Sequence, residues 1–211
     1  MLDRPLVSII TPTWQRPKLL LETIDNVRAQ TYRPLEHVIV SDGPDHGLKT
    51  QVTYTAQAGC EREFVPVRFV ELGRNWSSYL PNSFCAAPNV VGMLTARGEY
   101  QTWACDDERM DPDHIDSLVT ALENDGADFA YGRVRLYRPG QTPEQGFDIG
   151  TPSPQCGQIT NALWRADLLK RGLYPFGAGM TSDWACIEQW INAGATWAYV
   201  DRVTMDHRID H

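Results

Sequence analysis

Apolar and polar positions along the chain alternate between two periods, and the alternation orders the elements. Leu6-Val7-Ser8-Ile9-Ile10-Thr11 is a dense apolar run of strand length. Pro12 and Pro17 bracket an expected loop, and Pro17 suits the first turn of a helix, where a missing N–H leaves nothing unpaired. Leu20, Leu21, Ile24 and Val27 then recur at helical spacing to about Gln30. His37-Val38-Ile39-Val40 is a second strand, closed by Ser41-Asp42-Gly43-Pro44, so Asp42 falls at its carboxyl end. Residues 45–63 are polar and in part helical, and Val65–Leu72 is a third strand. Asn82–Ala96 is helical after Pro88, and Tyr100–Cys105 is a fourth strand. Asp111-Pro112 reads as a cap and first helical residue before the stripe Ile115, Leu118, Val119, Leu122, which Gly126 ends.

Four strands alternating with four helices over the first 125 residues predict an α/β fold. Its sheet should be mostly parallel, doubly wound and covered on both faces. The second half has a different rhythm. Phe129–Tyr137 is strand-like, Pro139–Gly157 is a loop or flap, and Leu163–Arg171 is a short helix closed by Gly172. Asp183–Ala193 is a helix closed by Gly194, and Thr196–Val203 is the last strand. The 211 residues are expected to form one domain whose two halves differ in rhythm and divide at about residue 125.

Charge sharpens this picture at one point. The fourth strand runs into Cys105-Asp106-Asp107-Glu108. Neighbouring carboxylates repel, and each resists desolvation unless a positive charge sits among them. A divalent cation carrying its own anionic ligand resolves this, the more so in a chain of net charge −8. A metal–diphosphate site at a strand's carboxyl end follows, where open α/β sheets bind ligands. Asp42 and the acids at 106–108 are expected to converge there. The competing reading is a solvated acidic turn. The acidic balance argues against nucleic-acid binding. No run approaches the roughly 20 apolar residues of a membrane helix, and no secretion signal precedes the first strand. The five cysteines, at 60, 85, 105, 156 and 186, form no Cys-x-x-Cys pair and suit reduced thiols in a cytoplasm.

Five segments, in order, resemble the family 2 glycosyltransferases. They are Val7-Ser8-Ile9-Ile10-Thr11-Pro12-Thr13-Trp14-Gln15-Arg16-Pro17; Ala29-Gln30-Thr31-Tyr32; Val38-Ile39-Val40-Ser41-Asp42-Gly43; Ala96-Arg97-Gly98-Glu99-Tyr100 with the acids that follow; and Gly179-Met180-Thr181-Ser182-Asp183-Trp184 with Asn192-Ala193-Gly194-Ala195 after it. The resemblance implies the GT-A fold, with a nucleotide-binding half to about residue 125 and an acceptor-binding half from about 126 to 211. It implies inverting transfer of one sugar from a nucleotide-diphosphate sugar, with Mn²⁺ or Mg²⁺ as cofactor and an acceptor that is glycan, small molecule or protein. It makes Asp107 the metal ligand, with Asp106 in the ribose or metal contact. Cys105 stands where the family's first motif acid would be, and a thiol is a poor ligand for these hard cations.

Asp42 takes the place of the base-reading acid. An acceptor-only carboxylate suits uracil N3–H and therefore a UDP-sugar, although guanine also presents donors. The rival reading is a turn-forming Asp before Gly. Thr11 (through its backbone), Thr13 and Arg16 would border the nucleotide. Asp183 takes the place of the general base, where the family usually has Glu-Asp and this chain has Ser182-Asp183; it could instead only cap the helix that follows. His207 would be a further metal ligand, with His211 on the same face if the tail is helical. Glu108 would support the site or be exposed. Trp164 and Trp184 are acceptor-stacking candidates among seven tryptophans. His37, His46 and His114 read as surface or turn residues. Without the Gln-x-x-Arg-Trp signature, single transfers are expected over polymer synthesis. A homodimer is compatible. The alternative function is a non-catalytic nucleotide- or sugar-binding module on the same fold. A nucleotidyltransferase ranks last, because the first loop has no glycine.

Overall fold

The computed structural model describes residues 4–57, 65–80, 85–159, 161–172 and 182–209. Gly179, Met180, Thr181 and His211, singled out above, lie outside them. Strand β1 (Val7–Thr13) is buried along its whole length, and its side chains split between two cores. Val7 and Ile9 face one way, with Val27 and the helix stripe Ile115, Leu118, Leu122. Ile10 faces the other way, with Val38, Val40, Val90, Met93 and Trp190. That split is the period-two geometry of a strand covered on both faces.

The first half follows the sequence pattern. Helix α1 (Pro17–Arg28) buries Leu20, Ile24 and Val27. β2 (Leu35–Ser41), α2 (His46–Gln57) and β3 (Val67–Glu71) follow, then the one-turn α3 (Trp76–Tyr79) and α4 (Ala86–Thr95). β4 (Tyr100–Trp103) comes next, then the short β5 (Glu108–Met110) and α5 (His114–Asp125). Gly126 closes α5 at φ 61°, with its N–H on the Glu123 and Leu122 carbonyls. β6 spans Phe129–Tyr137, β7 Phe147–Ile149 and β8 Leu163–Arg165. α6 (Ser182–Asn192) and the long β9 (Trp197–Arg208) complete the chain.

Among the described residues the strands form one mixed sheet of order β3-β2-β1-β4-β8-β6-β9-β5, with β7 also on β6. β1 runs parallel to β2 and β4, and β2 parallel to β3. β6 is parallel to β9, while β8 is antiparallel to β4 and β6. β1 therefore lies between β2 and β4, and the carboxyl ends of all three point the same way. Asp42 and the acids after β4 flank the end of β1 from opposite sides, so the expected convergence is present.

Several expectations are corrected. β1 continues through Pro12 to Thr13 instead of turning at Pro12. Ile10 O accepts from Ala104 N, so Pro12, two residues on, faces the side where β4 has already ended and its missing N–H breaks no ladder bond. α4 begins at Ala86, and Pro88 sits in its first turn rather than before it. α5 begins at His114 rather than Pro112. The 139–157 segment contains a 3₁₀ turn (Pro143–Gln145) and β7. Leu163-Trp164-Arg165 is a strand, followed by a 3₁₀ turn over Ala166–Lys170. β9 runs to Arg208, so His207 lies on a strand and shares no helical face with residue 211.

His37 and His114 are core residues, not surface ones. His37 Nε2 meets Thr11 Oγ1 at 2.8 Å, and His114 Nδ1 meets Thr204 Oγ1 at 2.7 Å. Burial lowers their pKa values to about 3 and about 4, so both stay neutral.

Candidate functional site

The acidic segment leaves β4, turns, and re-enters the sheet as β5 beside β9. Thr13, the last residue of β1, is the hub. Its carbonyl accepts the Asp42 N–H at 2.9 Å, and its hydroxyl donates to Asp106 Oδ2 at 2.8 Å. Arg16, at the start of α1, places Nη1 3.1 Å from Asp106 Oδ1 and 3.4 Å from Asp107 Oδ2. Burial raises the Asp106 pKa against the opposing pull of Thr13 and Arg16.

Glu108 is more central than the sequence suggested. It is 8% exposed. One oxygen accepts the Cys105 N–H at 2.7 Å and ties the turn closed. The other lies 3.2 Å from His207 Nδ1, its cross-strand partner in the β5–β9 register. A carboxylate only accepts, so the imidazole proton belongs on Nδ1, which leaves the Nε2 lone pair free to act as a ligand. Burial raises the Glu108 pKa. For His207, burial pulls the pKa down, but the Glu108 bond and charge outweigh it, and the value rises above the ordinary one.

Asp183 sits in the first turn of α6, one residue inside the helix start, and its Oδ1 accepts the Trp184 N–H at 2.8 Å. Burial raises its pKa. The Trp184 N–H opposes that shift, Glu108 adds to it and His207 subtracts from it. Asp183 thus feels both members of the Glu108–His207 pair although it enters from the far end of the chain. Burial, reinforced by the acids around it, pushes the Cys105 thiol well up, so it stays protonated and off any hard cation.

Three expected residues are engaged within the fold. Thr11 is fully buried against His37, and its backbone lies inside the β1–β2 ladder. Each Asp42 oxygen accepts one bond from the start of α3, from Trp76 N at 2.9 Å and Ser77 N at 3.0 Å, and keeps a second lone pair. Trp164 has no exposed face; its ring lies 4.2 Å from that of Trp103 and 5.4 Å from that of Trp190, so it is core and unavailable for stacking on an acceptor. Trp184 is half-buried and stays beside Asp183.

Two polar residues, Asn26 in α1 and Gln30 just past its end, were given no role in the sequence reading. Asn26 pairs both ways with Met110, at 2.7 and 2.8 Å, and Gln30 spans Asp111 O and Ile115 N. They fix the exit of the acidic turn. The available signal was two long polar side chains four apart beside an apolar stripe. On this α1 side a cleft of about 480 Å³ is lined by Glu22, Asn26, Asp107, Arg109, Tyr137 and Arg208, among others.

The model of the family described as "Glycosyl transferase family 2" matches residues 8–165. The chain belongs to this family. An uncharacterized glycosyltransferase of Rickettsia felis is 31% identical to this family 2 member over 118 residues, which is 56% of this chain and 17% of that protein. The uncharacterized glycosyltransferase YwdF of Bacillus subtilis is 25% identical over 130 residues, 62% of this chain and 42% of that protein. The chain thus spans less than half the length of these relatives. Among solved structures, Staphylococcus aureus TarS 1-349 in complex with UDP-GlcNAc superposes with a TM-score of 0.73 at 12% identity, covering 97% of this chain and 59% of that one. The mannosyltransferase PcManGT of Pyrobaculum calidifontis, in complex with GDP-Man and Mn²⁺, gives 0.66 at 21%, covering 97% and 57%. At these identities the likeness is one of fold, and the fold is GT-A. No helix among the described residues is long and apolar enough to cross a membrane.

Proposed function

We propose that this family 2 member transfers a single sugar from a nucleotide-diphosphate sugar to an acceptor hydroxyl, with inversion and with a divalent cation. One observation carries the reading. His207 pairs with Glu108 of the acidic turn that follows β4, and the Asp183 carboxylate, also from the last thirty residues, lies within electrostatic range of both. The proximity supports a proton acceptor and a cation-binding set working at one strand edge.

The donor set fits Mn²⁺ or Mg²⁺. Asp107 offers carboxylate oxygen and His207 offers Nε2, oriented by Glu108. The described residues contain no ready cage of three or more protein ligands, which suits a cation completed by donor phosphates. Such a cation would neutralise the diphosphate as it leaves. The Thr13 hydroxyl holds the Asp106 carboxylate, which also pairs with Arg16, where it would border the nucleotide. Asp183, its pKa raised by burial, is suited to take the acceptor's proton as the hydroxyl attacks the anomeric carbon from the far side.

UDP is the favoured nucleotide, since an Asp42 oxygen retains a second lone pair for an N–H donor. The neighbours bound to UDP-GlcNAc and to GDP-Man make both donor classes worth testing. The experiment is Mn²⁺-dependent release of nucleotide from a panel of UDP- and GDP-sugars. Turnover dependent on both Mn²⁺ and Asp183 supports the reading. Tight UDP binding without turnover of any donor would make the chain a binding module.

A further inference from the structure

The acid pair already holds a cation, and that cation belongs to the protein. A single guanidinium nitrogen of Arg16 lies within 3.1 Å of Asp106 and 3.4 Å of Asp107. The two carboxylates are 5% and 12% exposed, whereas the Arg16 side chain is 47% exposed. The acids are therefore well shielded, and their counter-ion reaches in from solvent.

The acids do not depend on Arg16 for their positions. Asp106 is held by the Thr13 hydroxyl, and the Asp107 carbonyl accepts the Arg208 N–H at 3.3 Å. The Glu108–Cys105 bond closes the turn between them. The loop that carries Arg16 is less settled. Gln15 sits at φ 53°, in the left-handed region that side chains other than glycine seldom occupy. Arg16 is the N-cap residue of α1 but makes no side-chain capping bond. Its side chain is spent on the acids instead.

We propose that Arg16 is a built-in counter-ion, which a divalent cation must displace from Asp106 and Asp107 and which then turns to the donor's diphosphate. This rests on the metal–diphosphate reading above. Two cations on the same carboxylate oxygens repel each other at close range, so an entering divalent ion drives the guanidinium off. An arginine fork matches phosphate oxygens in a bidentate way, so the diphosphate is its natural next partner. Metal alone then binds weakly, because Arg16 competes. Metal with nucleotide binds tightly, because the nucleotide gives Arg16 a new partner. The two ligands are coupled through one side chain.

The test measures free Mn²⁺ by electron paramagnetic resonance, with and without UDP, in wild type, Arg16→Gln, Arg16→Lys and Asp107→Ala. Arg16→Gln should bind Mn²⁺ alone roughly 1.5- to 5-fold more tightly, the range expected when a half-exposed ion pair is removed. The same variant should bind UDP in Mn²⁺ several-fold more weakly. Arg16→Lys keeps the charge but lacks the fork, so it should hold Mn²⁺ affinity near wild type while UDP binding falls. Those opposite signs support the proposal. Mn²⁺ affinity that is unchanged or weaker in Arg16→Gln, with Asp107→Ala abolishing binding, overturns it and leaves the metal site standing. Undiminished Mn²⁺ binding in Asp107→Ala removes the metal site itself.

Discussion

Replacing Glu108 by glutamine keeps shape and removes charge at the junction of the acidic turn and β9. The wild-type carboxylate accepts twice, from Cys105 N at 2.7 Å and from His207 Nδ1 at 3.2 Å. An amide has one accepting oxygen and one donating nitrogen. With the oxygen kept on Cys105 N–H, the NH₂ faces His207 Nδ1, which must then present a lone pair. The imidazole proton moves to Nε2, and the ligand position is lost. Mn²⁺ affinity should fall about 10- to 100-fold, the usual effect of removing a group that orients a metal-binding histidine. Exchanging a charge-assisted hydrogen bond for a neutral one costs roughly 1–2 kcal/mol. In a chain of this size that lowers Tm by about 2–8 °C. The pH dependence has a definite sign. His207 has a raised folded pKa, so its contribution is complete below the unfolded value near 6.5 and fades as pH rises through the folded one. Glu108, whose pKa burial also raises, costs stability once pH climbs through that raised value and the buried carboxyl ionises, and glutamine relieves that cost. Both effects make the destabilisation larger at pH 6 than at pH 8. Long-range ¹⁵N–¹H spectra of the imidazole, Mn²⁺ titration and calorimetry at the two pH values check this. A variant with the proton still on Nδ1 and wild-type Mn²⁺ affinity would refute the reasoning.

Three further predictions follow from individual contacts. Asp183→Asn should keep nucleotide binding and lose transfer by at least about 100-fold; in wild type the acid limb of kcat should lie above the ordinary carboxylate range, since burial raises this group. Trp164→Ala should destabilise by about 3–5 kcal/mol in denaturant titration, because it opens a cavity against Trp103 and Trp190. Thr13→Val removes the hydroxyl that serves a buried carboxylate, so it should cost about 1.5–3 kcal/mol. It should also weaken nucleotide binding, which isothermal titration would read.

The parts of the fold that were legible in sequence are those in which one segment determines its own state. β1, α1, β2, α5 and β6 each carry a full apolar period, with Pro17 or Gly126 marking an end. The misreadings lie where a partner decides. Leu163-Trp164-Arg165 has no period of its own, and it becomes a strand because β4 and β6 leave a slot between them. Phe147–Ile149 is recruited in the same way by the far end of β6. Pro12 looked like a terminator, yet β4 stops before its missing donor would be needed. Trp164 shows the limit for side chains, because composition cannot tell a stacking surface from a core aromatic.

For the site, the same division separates Asp107 from Glu108. The acid pair is local, and its need for a cation can be read from adjacency. The Glu108–His207 pair joins residues 99 positions apart and exists only through the β5–β9 register. Once assembled, the site's charge balance restates the sequence argument more strictly. Asp106, Asp107, Glu108 and Asp183 are four acids in mutual electrostatic reach, and Arg16 and His207 are the cationic partners they meet. Even with His207 protonated the cluster is two charges short, and a neutral ligating His207 makes it three. The protein answers part of the shortfall by holding carboxylates above their ordinary pKa values, which weakens them as anions. In the proposed site a divalent cation would offset two of the three charges left beside a neutral His207, and the strand edge would then repel a diphosphate far less than the bare acids do.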